Sequence, residues 1–357
     1  MSDPALRPSR RYLTMVVASL SLIVLSCVAF LVPVPYVMMR PGPAFNTLGE
    51  FNDKQMFTFG KDVKTYKTTG ALDFTTVSVT RAEANVSLAE AIEAYFTADT
   101  AVVPRSLVYR QGQSATDAKA EGQAQLSSSK DSSRVAGLRA AGYTVPEVPT
   151  IESVGKDASA KGKLQKGDAI RTVDGRSTGS AEDVVEAVGQ VKPGDTVTIG
   201  FTRDGEKKNV EIVTRPDAKN KKLPRIGVML RSTFDFPIEI TNNVGDQVGG
   251  PSAGTMFALA IYDRLTPGSL TGGREVAGTG EITPDGTVGP IGGIRQKIAG
   301  AADDGAKIFL VPASNCAEAT GGDAHGLRLV KVSKLDDAID PLEALAKNPK
   351  ASVPLCQ

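Results

Sequence analysis

The sequence predicts a mixed α/β protein with an N-terminal transmembrane helix and two folded modules. Three observations predict this fold class. An uncharged apolar run begins at residue 13, close to the start of the chain. Residues 148–214 alternate apolar and polar positions between Asp-Gly turns, which is typical of short β-strands. From about residue 226, glycine-rich turns separate apolar strand-like and helix-like segments, and 357 residues suit two or three domains.

The apolar run near the start is long enough to cross the hydrocarbon core of a bilayer. Three arginines within residues 1–12 precede it and predict that this end lies in the cytoplasm. A cleaved signal peptide is the alternative, but the run is longer than a usual signal core and lacks a good Ala-x-Ala site. We therefore expect residues 13–33 to be a signal anchor in the cell membrane, with the remainder of the chain outside the cytoplasm.

The composition excludes several classes of function. The 41 basic and 40 acidic residues nearly cancel, so the chain has no basic field that would attract nucleic acid. The sequence has neither a zinc-type Cys/His cluster nor a Gly-x-x-x-x-Gly-Lys-Ser/Thr phosphate loop. We expect no nucleic-acid partner, no metal and no cofactor. Cys316 and Cys356 could pair in an oxidising compartment or remain free, and the sequence leaves both open.

The segment that follows the anchor, residues 34–120, is expected to be β-rich and extracytoplasmic. It contains a strand-like stretch at 74–80 and a short amphipathic helix at 87–96 that begins with a serine. This order also allows it to be the first part of the fold that resumes later in the chain. Residues 111–133 are polar and predict either a mobile loop or a polar surface helix, in which Ser127, Ser128 and Ser129 have no catalytic role.

Residues 121–218 predict a β-rich module with a preceding helix or loop. Leu164–Gly175 has the pattern Leu-x-x-Gly-Asp-x-Ile-x-x-Val-Asp-Gly, which resembles the core of a PDZ domain. The resemblance implies binding of extended peptides, usually C-termini, by strand addition to a sheet edge. A purely structural β-module is the alternative. The candidate loop for a peptide carboxylate contains Gly142, Tyr143 and Val145, a glycine followed by alternating apolar residues.

A sharp turn precedes an apolar run that predicts a buried helix. Two glycines and a proline in Gly249–Gly254 force the chain to turn just before an apolar run. Ser252 therefore lies where a tight turn enters a helix, a geometry that suits a nucleophile beside an oxyanion hole. We assign Gly250, Pro251 and Ala253 to the loop that would hold the substrate and the oxyanion. A helix N-cap serine is the alternative.

A nucleophilic serine needs a base, and the residues offer two candidates. His325 is the single histidine, and it lies in a glycine-rich loop. Lys297 lies near the start of a second predicted helix, at residues 295–300. A lysine can serve as the base if burial lowers its pKa enough to leave a neutral amine near pH 7. A solvated surface lysine is the alternative.

Three motifs in order closely resemble the proteolytic domain of Lon-type proteases. They are Gly-Gly-Pro-Ser-Ala-Gly at 249–254, Gly-Thr-Gly-Glu-Ile-Thr at 278–283 and the stretch 286–297, which ends in Gly-Gly-Ile-Arg-Gln-Lys. We place this domain at residues 225–349. One departure is Gly249, at a position where cytosolic Lon usually has an acidic residue.

The Lon resemblance also assigns roles to individual residues. It implies a Ser-Lys dyad, with Ser252 as the nucleophile, Lys297 as the general base and Thr279 as the residue that orients the lysine. It further implies protein or peptide substrates and a homo-oligomer, because Lon-type domains commonly form hexameric rings.

Together these expectations describe an ATP-independent, membrane-anchored serine endopeptidase that cleaves extracytoplasmic proteins recognised partly by the PDZ module. The alternative is a PDZ scaffold or adaptor whose protease-like domain is not competent.

Overall fold

The computed structural model describes residues 9–357, with the side chain of Leu31 left out. The first eight residues of the expected cytoplasmic segment lie outside the described part. The chain divides into two compact units, one formed by residues 142–239 and the other by the flanking residues on both sides. We call residues 142–239 the inserted unit and the residues on both sides of it the flanking unit, because the inserted unit interrupts the chain of the flanking unit.

The secondary-structure elements are numbered in chain order. The first segment of the flanking unit contains α1 (Arg10–Leu31), β1 (Pro33–Val34), β2 (Tyr36–Asn46), β3 (Glu50–Phe51), β4 (Lys54–Gln55), β5 (Phe57–Phe59), β6 (Ala71–Val79), β7 (Val86–Ser87), α2 (Leu88–Phe96), β8 (Ala101–Pro104) and α3 (Ala115–Ala140). The inserted unit contains β9 (Glu147–Val154), β10 (Ala169–Val173), β11 (Arg176–Ser177), α4 (Ala181–Gly189), β12 (Thr196–Arg203), β13 (Glu206–Val213), β14 (Arg215–Pro216), β15 (Pro224–Arg225) and β16 (Val228–Phe234). The last segment contains β17 (Ile240–Asn242), α5 (Gly254–Leu265), β18 (Glu275–Gly278), β19 (Glu281–Ile282), β20 (Val288–Gly289), α6 (Ile294–Asp303), β21 (Ile308–Pro312), α7 (Cys316–Thr320), β22 (Arg328–Val332) and α8 (Asp336–Lys347).

Helix α1 is the apolar helix that the sequence predicts. Its stretch Arg10–Phe30 is long and apolar enough to cross a membrane, with a mean hydropathy of 2.5 and no burial against the rest of the protein. The side chain of Ser9 caps the helix by accepting a hydrogen bond from the amide of Tyr12. Length and composition fit a membrane anchor and a signal sequence alike.

The flanking unit is built on a six-stranded sheet in the order β22–β21–β18–β6–β2–β8. Strands β6, β18, β21 and β22 are parallel, whereas β2 runs antiparallel to both β6 and β8. Because β6 precedes the inserted unit and its partner β18 follows it, the two segments form one fold. Helix α5 packs on β6, where the rings of Phe74 and Phe257 lie 5.3 Å apart.

The sequence predicted either a mobile loop or a surface helix for the polar residues 111–133, and helix α3 covers most of this stretch. A capping box formed by Ser114 and Asp117 starts the helix. Its second half packs against α5, with Gly137 at the contact. A Cβ atom at this glycine would lie 2.7 Å from the carbonyl oxygen of Ala258, so a larger residue would force the two helices apart.

The inserted unit has its own sheet and core. Its strands follow the order β13–β12–β10–β9–β16, with β11 on β10, and helix α4 packs on β9 and β10. Fully buried aliphatic side chains fill the space between them, namely Ile151, Ile170, Val197, Ile199 and Ile212. Strand β16 pairs with β9 along its whole length. The expected boundary near residue 225 therefore differs from the structure, because the backbone of β16 completes the sheet of the inserted unit.

The two cysteines outside α1 form a disulfide. Cys316, at the start of α7, and Cys356, near the end of the chain, have Cα atoms 5.1 Å apart. The sequence left this pairing open. Among the described residues Cys27, in α1, is the free cysteine.

Candidate active site

Ser252 lies in the turn that leads into α5. Gly250 adopts a positive φ of 89°, which glycine tolerates better than any other residue and which lets the chain reverse two residues before the serine. The residue at the N-cap of α5 is Ala253, and no side chain caps the helix. Ser252 is therefore not a helix N-cap in this structure, and its hydroxyl is available to another partner.

That partner is Lys297, in the second turn of α6. Gly293, with a φ of 72°, starts this helix in the left-handed region. The lysine side chain is only 3% exposed. Its Nζ atom lies 2.9 Å from Oγ of Ser252, 3.1 Å from Oγ1 of Thr279 and 2.7 Å from the carbonyl oxygen of Thr75. The fold thus brings Ser252, Lys297 and Thr279 together from three separate elements.

The electrostatics of the lysine follow from these contacts. Within residues 9–357, no carboxylate forms an ion pair with Lys297. Burial disfavours the ammonium form and lowers the pKa of Lys297 from 10.5 to about 7. A neutral amine has two N–H groups, which suit Thr75 and Thr279, and one lone pair, which suits the hydroxyl proton of Ser252.

Thr279 connects the lysine to the backbone of the serine. While its Oγ1 accepts a hydrogen bond from Lys297, its hydroxyl donates to the carbonyl oxygen of Ser252 at 3.0 Å. The amide of Gly280 donates to the same oxygen at 2.8 Å. These two bonds hold the serine backbone against the turn between β18 and β19, so Thr279 touches both members of the pair.

The backbone amides around the serine differ in their availability. The amide of Gly250 donates to the carbonyl oxygen of Gly122 at 2.9 Å, and Pro251 has no N–H group. In the part of the chain that the structure describes, the amides of Ser252 and Ala253 have no hydrogen-bond acceptor. Of the three loop residues named from the sequence, only Ala253 therefore offers a free N–H, and the amide of Ser252 itself joins it.

Helix α3 supplies residues that the sequence reasoning missed. Gln123 donates to the carbonyl oxygen of Val248 at 2.7 Å, and Ser129 donates to that of Pro251 at 2.9 Å. Lys130 donates to the carbonyl oxygens of Asn242 and Val244 at 3.3 and 2.9 Å. These three side chains hold much of the loop from residue 242 to the serine.

The carbonyl oxygen of Thr75 was also missed, because it belongs to the backbone and has no residue signature. The i, i+7 spacing of Gln123 and Lys130 on α3 was the one available signal, but a polar helix face usually faces solvent.

A cleft of 640 Å³ opens beside the pair. Ser252 and Lys297 lie in its wall, together with residues 75–79 of β6. Strand β18 pairs with β6 only as far as Phe74, so the rest of this edge of β6 is not covered by a neighbouring strand. The larger apolar side chains that line the cleft are Met39, Phe45, Phe74, Val77, Val79 and Val248.

The other candidate residues named from the sequence, His325 and the proposed carboxylate loop, take no part in the contact between Ser252 and Lys297. Nε2 of His325 is 3.0 Å from a carboxylate oxygen of Asp99, and the histidine forms no hydrogen bond with Ser252. In the inserted unit, Gly142 and Tyr143 precede β9, and Val145 is only 3% exposed. Among the described residues no group of three or more His, Cys, Asp or Glu side chains could hold a metal ion.

Comparison with known families finds two domains in this chain. A profile described as the PDZ domain matches residues 124–214, and one described as the Lon protease (S16) C-terminal proteolytic domain matches residues 243–342. Lon protease from Azospirillum brasilense is 30% identical over 43% of this chain and 19% of its own length. Lon protease from Azorhizobium caulinodans is 36% identical over 28% of this chain and 12% of its own length. The chain thus spans less than a quarter of the length of these relatives.

Among solved structures, the PDZ domain of the SdrC-like protein from Listeria monocytogenes is 29% identical, with a TM-score of 0.22. The match covers 23% of this chain and 85% of that domain. The fold class and both domains expected from the sequence are confirmed by the two profile matches. This chain therefore contains a PDZ domain and a Lon protease C-terminal proteolytic domain.

Proposed function

We propose that this chain is an ATP-independent serine endopeptidase, in which Ser252 is the nucleophile and Lys297 the general base. The observation that supports this proposal is the distance of 2.9 Å between Nζ of a buried lysine and Oγ of a serine. The lysine lacks an acidic partner among the described residues, so burial favours its neutral form, which a base requires.

In the acylation step, Oγ of Ser252 attacks the carbonyl carbon of the scissile bond while its proton passes to Nζ of Lys297. The amides of Ser252 and Ala253 donate hydrogen bonds to the oxyanion that forms on the former carbonyl oxygen. Lys297 then gives the proton to the departing amine, the C–N bond breaks, and an ester with Ser252 remains.

In the deacylation step, water takes the place of the departed amine. Lys297, again neutral, accepts a proton from this water as the water oxygen attacks the ester carbon. The same two amides stabilise the second oxyanion. When the C–Oγ bond breaks, Oγ recovers a proton from Lys297, and the carboxylic acid product leaves.

The cleft fits an extended polypeptide. The uncovered edge of β6 beyond Thr75, residues 76–79, offers backbone groups to a substrate strand, while apolar side chains of the cleft offer a surface to the substrate's side chains. We propose that extended segments of unfolded or flexible proteins bind there, with apolar residues in the cleft.

The PDZ domain would capture such segments. Strand addition needs an exposed sheet edge, and β9, which follows Gly142, Tyr143 and Val145, is an internal strand between β10 and β16. Strand β16 is an edge of the sheet and contacts helix α4. We therefore propose the β16 edge as the peptide-binding edge, in place of the loop named from the sequence.

The location and assembly of the protein complete the proposal. Helix α1 would anchor the chain in the membrane with its N-terminus in the cytoplasm and its proteolytic domain outside. The substrates would be extracytoplasmic proteins, and the active form a homo-oligomer such as a hexamer. Because the sequence contains no phosphate loop, hydrolysis would not require ATP.

The test is peptide and casein hydrolysis without ATP by the wild-type chain, Ser252→Ala and Lys297→Ala. We expect hydrolysis by the wild type alone, with both variants folded by circular dichroism. Equal rates in all three would refute the dyad. A serine-reactive probe distinguishes the endopeptidase from the alternative, a PDZ scaffold, because a scaffold with an incompetent domain would leave Ser252 unlabelled.

A further inference from the structure

A group of exposed apolar side chains lies on α2 and on the turn after β8. We call it the apolar stripe, and it consists of Leu88, Ile92, Tyr95, Phe96 and Leu107, which are 40%, 50%, 72%, 81% and 76% exposed. The rings of Tyr95 and Phe96 contact each other edge to face, with centroids 5.3 Å apart. Several large apolar side chains in one exposed area are unusual for a surface that faces water only.

Helix α2 separates its residue types by face. Leu88, Ile92 and Tyr95 follow the spacing i, i+4, i+7 and share one face of the helix. Ala91 and Ala94 are buried against the protein. Glu90 and Glu93 point to a third direction, where they remain exposed. The helix thus has one face for the protein, one for water and one apolar face whose side chains are 40% or more exposed.

The position of the stripe indicates its partner. Helix α1 ends at Leu31, and β1, which starts two residues later, pairs with β7 so that Pro33 lies opposite Ser87. Ser87 is the N-cap of α2, and paired residues of antiparallel strands have Cα atoms about 5 Å apart. Helix α1 itself contacts α2. The stripe therefore begins beside the end of the apolar helix.

The turn with Leu107 lies at the same place. The amide of Arg105 donates to the carbonyl oxygen of Pro35 at 2.9 Å, only a few residues beyond α1.

We propose that the apolar stripe inserts into the interfacial layer of the lipid bilayer, on the side where α1 leaves the membrane. This inference rests on the proposed function of α1 as a membrane anchor. The headgroup layer is roughly 5–7 Å thick on each side of the hydrocarbon core, and α2 is about 14 Å long, so a helix that starts at the end of α1 lies within reach of that layer. Aromatic and aliphatic side chains favour this layer, and the two glutamates face water.

The chain has no tryptophan, so a single introduced tryptophan reports on its own surroundings. Tyr95→Trp places the probe in the stripe. Tyr66→Trp is the matched control, because Tyr66 precedes the start of β6, whereas the other end of β6 pairs with β2 near α1. These two ends of the strand are about 27 Å apart. Both full-length variants are reconstituted in phosphatidylcholine vesicles with and without bromine on the acyl chains.

We expect brominated lipid to remove most of the emission of Tyr95→Trp and little of that of Tyr66→Trp. Equal quenching of the two variants would overturn the inference, as would a Tyr95→Trp probe that iodide in the water quenches freely. Shielding from both quenchers would also overturn it and would point to a second copy of the chain. Extraction at alkaline pH tests α1 separately, because a chain that leaves the vesicles refutes the anchor and the stripe together, whereas a retained but unquenched chain refutes the stripe alone.

Discussion

The two units of this protein each bury an ionisable side chain, and they treat it in opposite ways. In the inserted unit, Asp168 is fully buried and accepts two hydrogen bonds of 2.7 Å from the guanidinium of Arg203. It also accepts one from the amide of Gln165 at 2.8 Å. In the flanking unit, Lys297 is equally inaccessible but contacts only uncharged oxygen atoms.

This difference separates a structural charge from a chemical one. A buried carboxylate that is paired and hydrogen-bonded has a counter-charge beside it and fixes the turn that contains it. A buried amine without an opposite charge becomes easier to deprotonate, and its pKa moves to about 7. Burial alone therefore does not identify a catalytic group, whereas burial without a counter-charge beside a nucleophile does.

The largest effect is expected for Lys297→Met, which removes the amine and keeps a similar volume. Peptide hydrolysis should fall about a thousandfold or more, because the serine loses its base. The same variant should be more stable than the wild type at pH 6, since it no longer buries an unpaired amine. Hydrolysis rates and urea unfolding at pH 6 check both effects. A variant that lost both activity and stability would show that Lys297 serves the fold.

Whereas Lys297→Met should raise the stability of the protein, Asp168→Asn should lower it. This change leaves Arg203 without its counter-charge and should destabilise the inserted unit by about 2–3 kcal/mol, a value reduced because Arg203 is partly exposed. Urea unfolding of the inserted unit measures the loss. The control is Asp235→Asn, which breaks the exposed pair with Arg171 and should cost less than about 1 kcal/mol. Equal costs for the two variants would contradict the structural role of Asp168.

The pH dependence of stability sharpens the comparison further. The folded-state pKa of Lys297 is below its unfolded value of 10.5. The cost of burying the amine is therefore complete below about pH 7 and declines as the pH rises toward 10.5. The stability advantage of Lys297→Met over wild type should shrink across this range.

A second buried group titrates near the lower end of the same range. Burial, followed by repulsion from Glu275 and Asp304, raises the pKa of Asp73 to about 7. Its contribution cancels in the difference between the two proteins, because both contain it. A stability difference that stays constant from pH 6 to pH 10 would contradict the assignment.

The smallest effect is expected for Ser129→Ala, which removes one hydrogen bond that holds the loop before the nucleophile. Loss of this bond should lower kcat about fivefold and leave KM nearly unchanged, since Ser129 lies outside the cleft lining. Ser128→Ala is the control, because Ser128 is its exposed neighbour on the same helix. Equal rates for the two variants would show that α3 does not position the loop.

The parts of the site that the sequence predicts are those with a residue signature. Ser252, Thr279 and Lys297 lie in motifs whose glycines and proline are required by turns, and these three residues meet in the structure. The third partner of the lysine is a backbone carbonyl, at Thr75, and no side chain marks it. The α3 residues escaped because their polar side chains resemble a solvated face, and only the packing against α5 places them at the loop.

Domain organisation shows the same limit. The motifs locate both domains, but the boundary near residue 225 depends on which sheet β16 completes. That pairing is decided by backbone hydrogen bonds with β9, which lies some 80 residues earlier in the chain. Likewise, the sequence allowed the segment before the inserted unit to belong to the later fold, and the parallel pairing of β6 with β18 joins them.

The central claim is that a neutral, buried Lys297 activates Ser252, and the rate at which a peptidyl phosphonate modifies Ser252 tests it most directly. This rate is measured from pH 5 to pH 11 in the wild type and in Lys297→Met. The account predicts a rate that rises with pH to a plateau, with its midpoint near 7, and a slow reaction without that step in the variant. A midpoint near the ordinary lysine value of 10.5, or the same profile in both proteins, would contradict it.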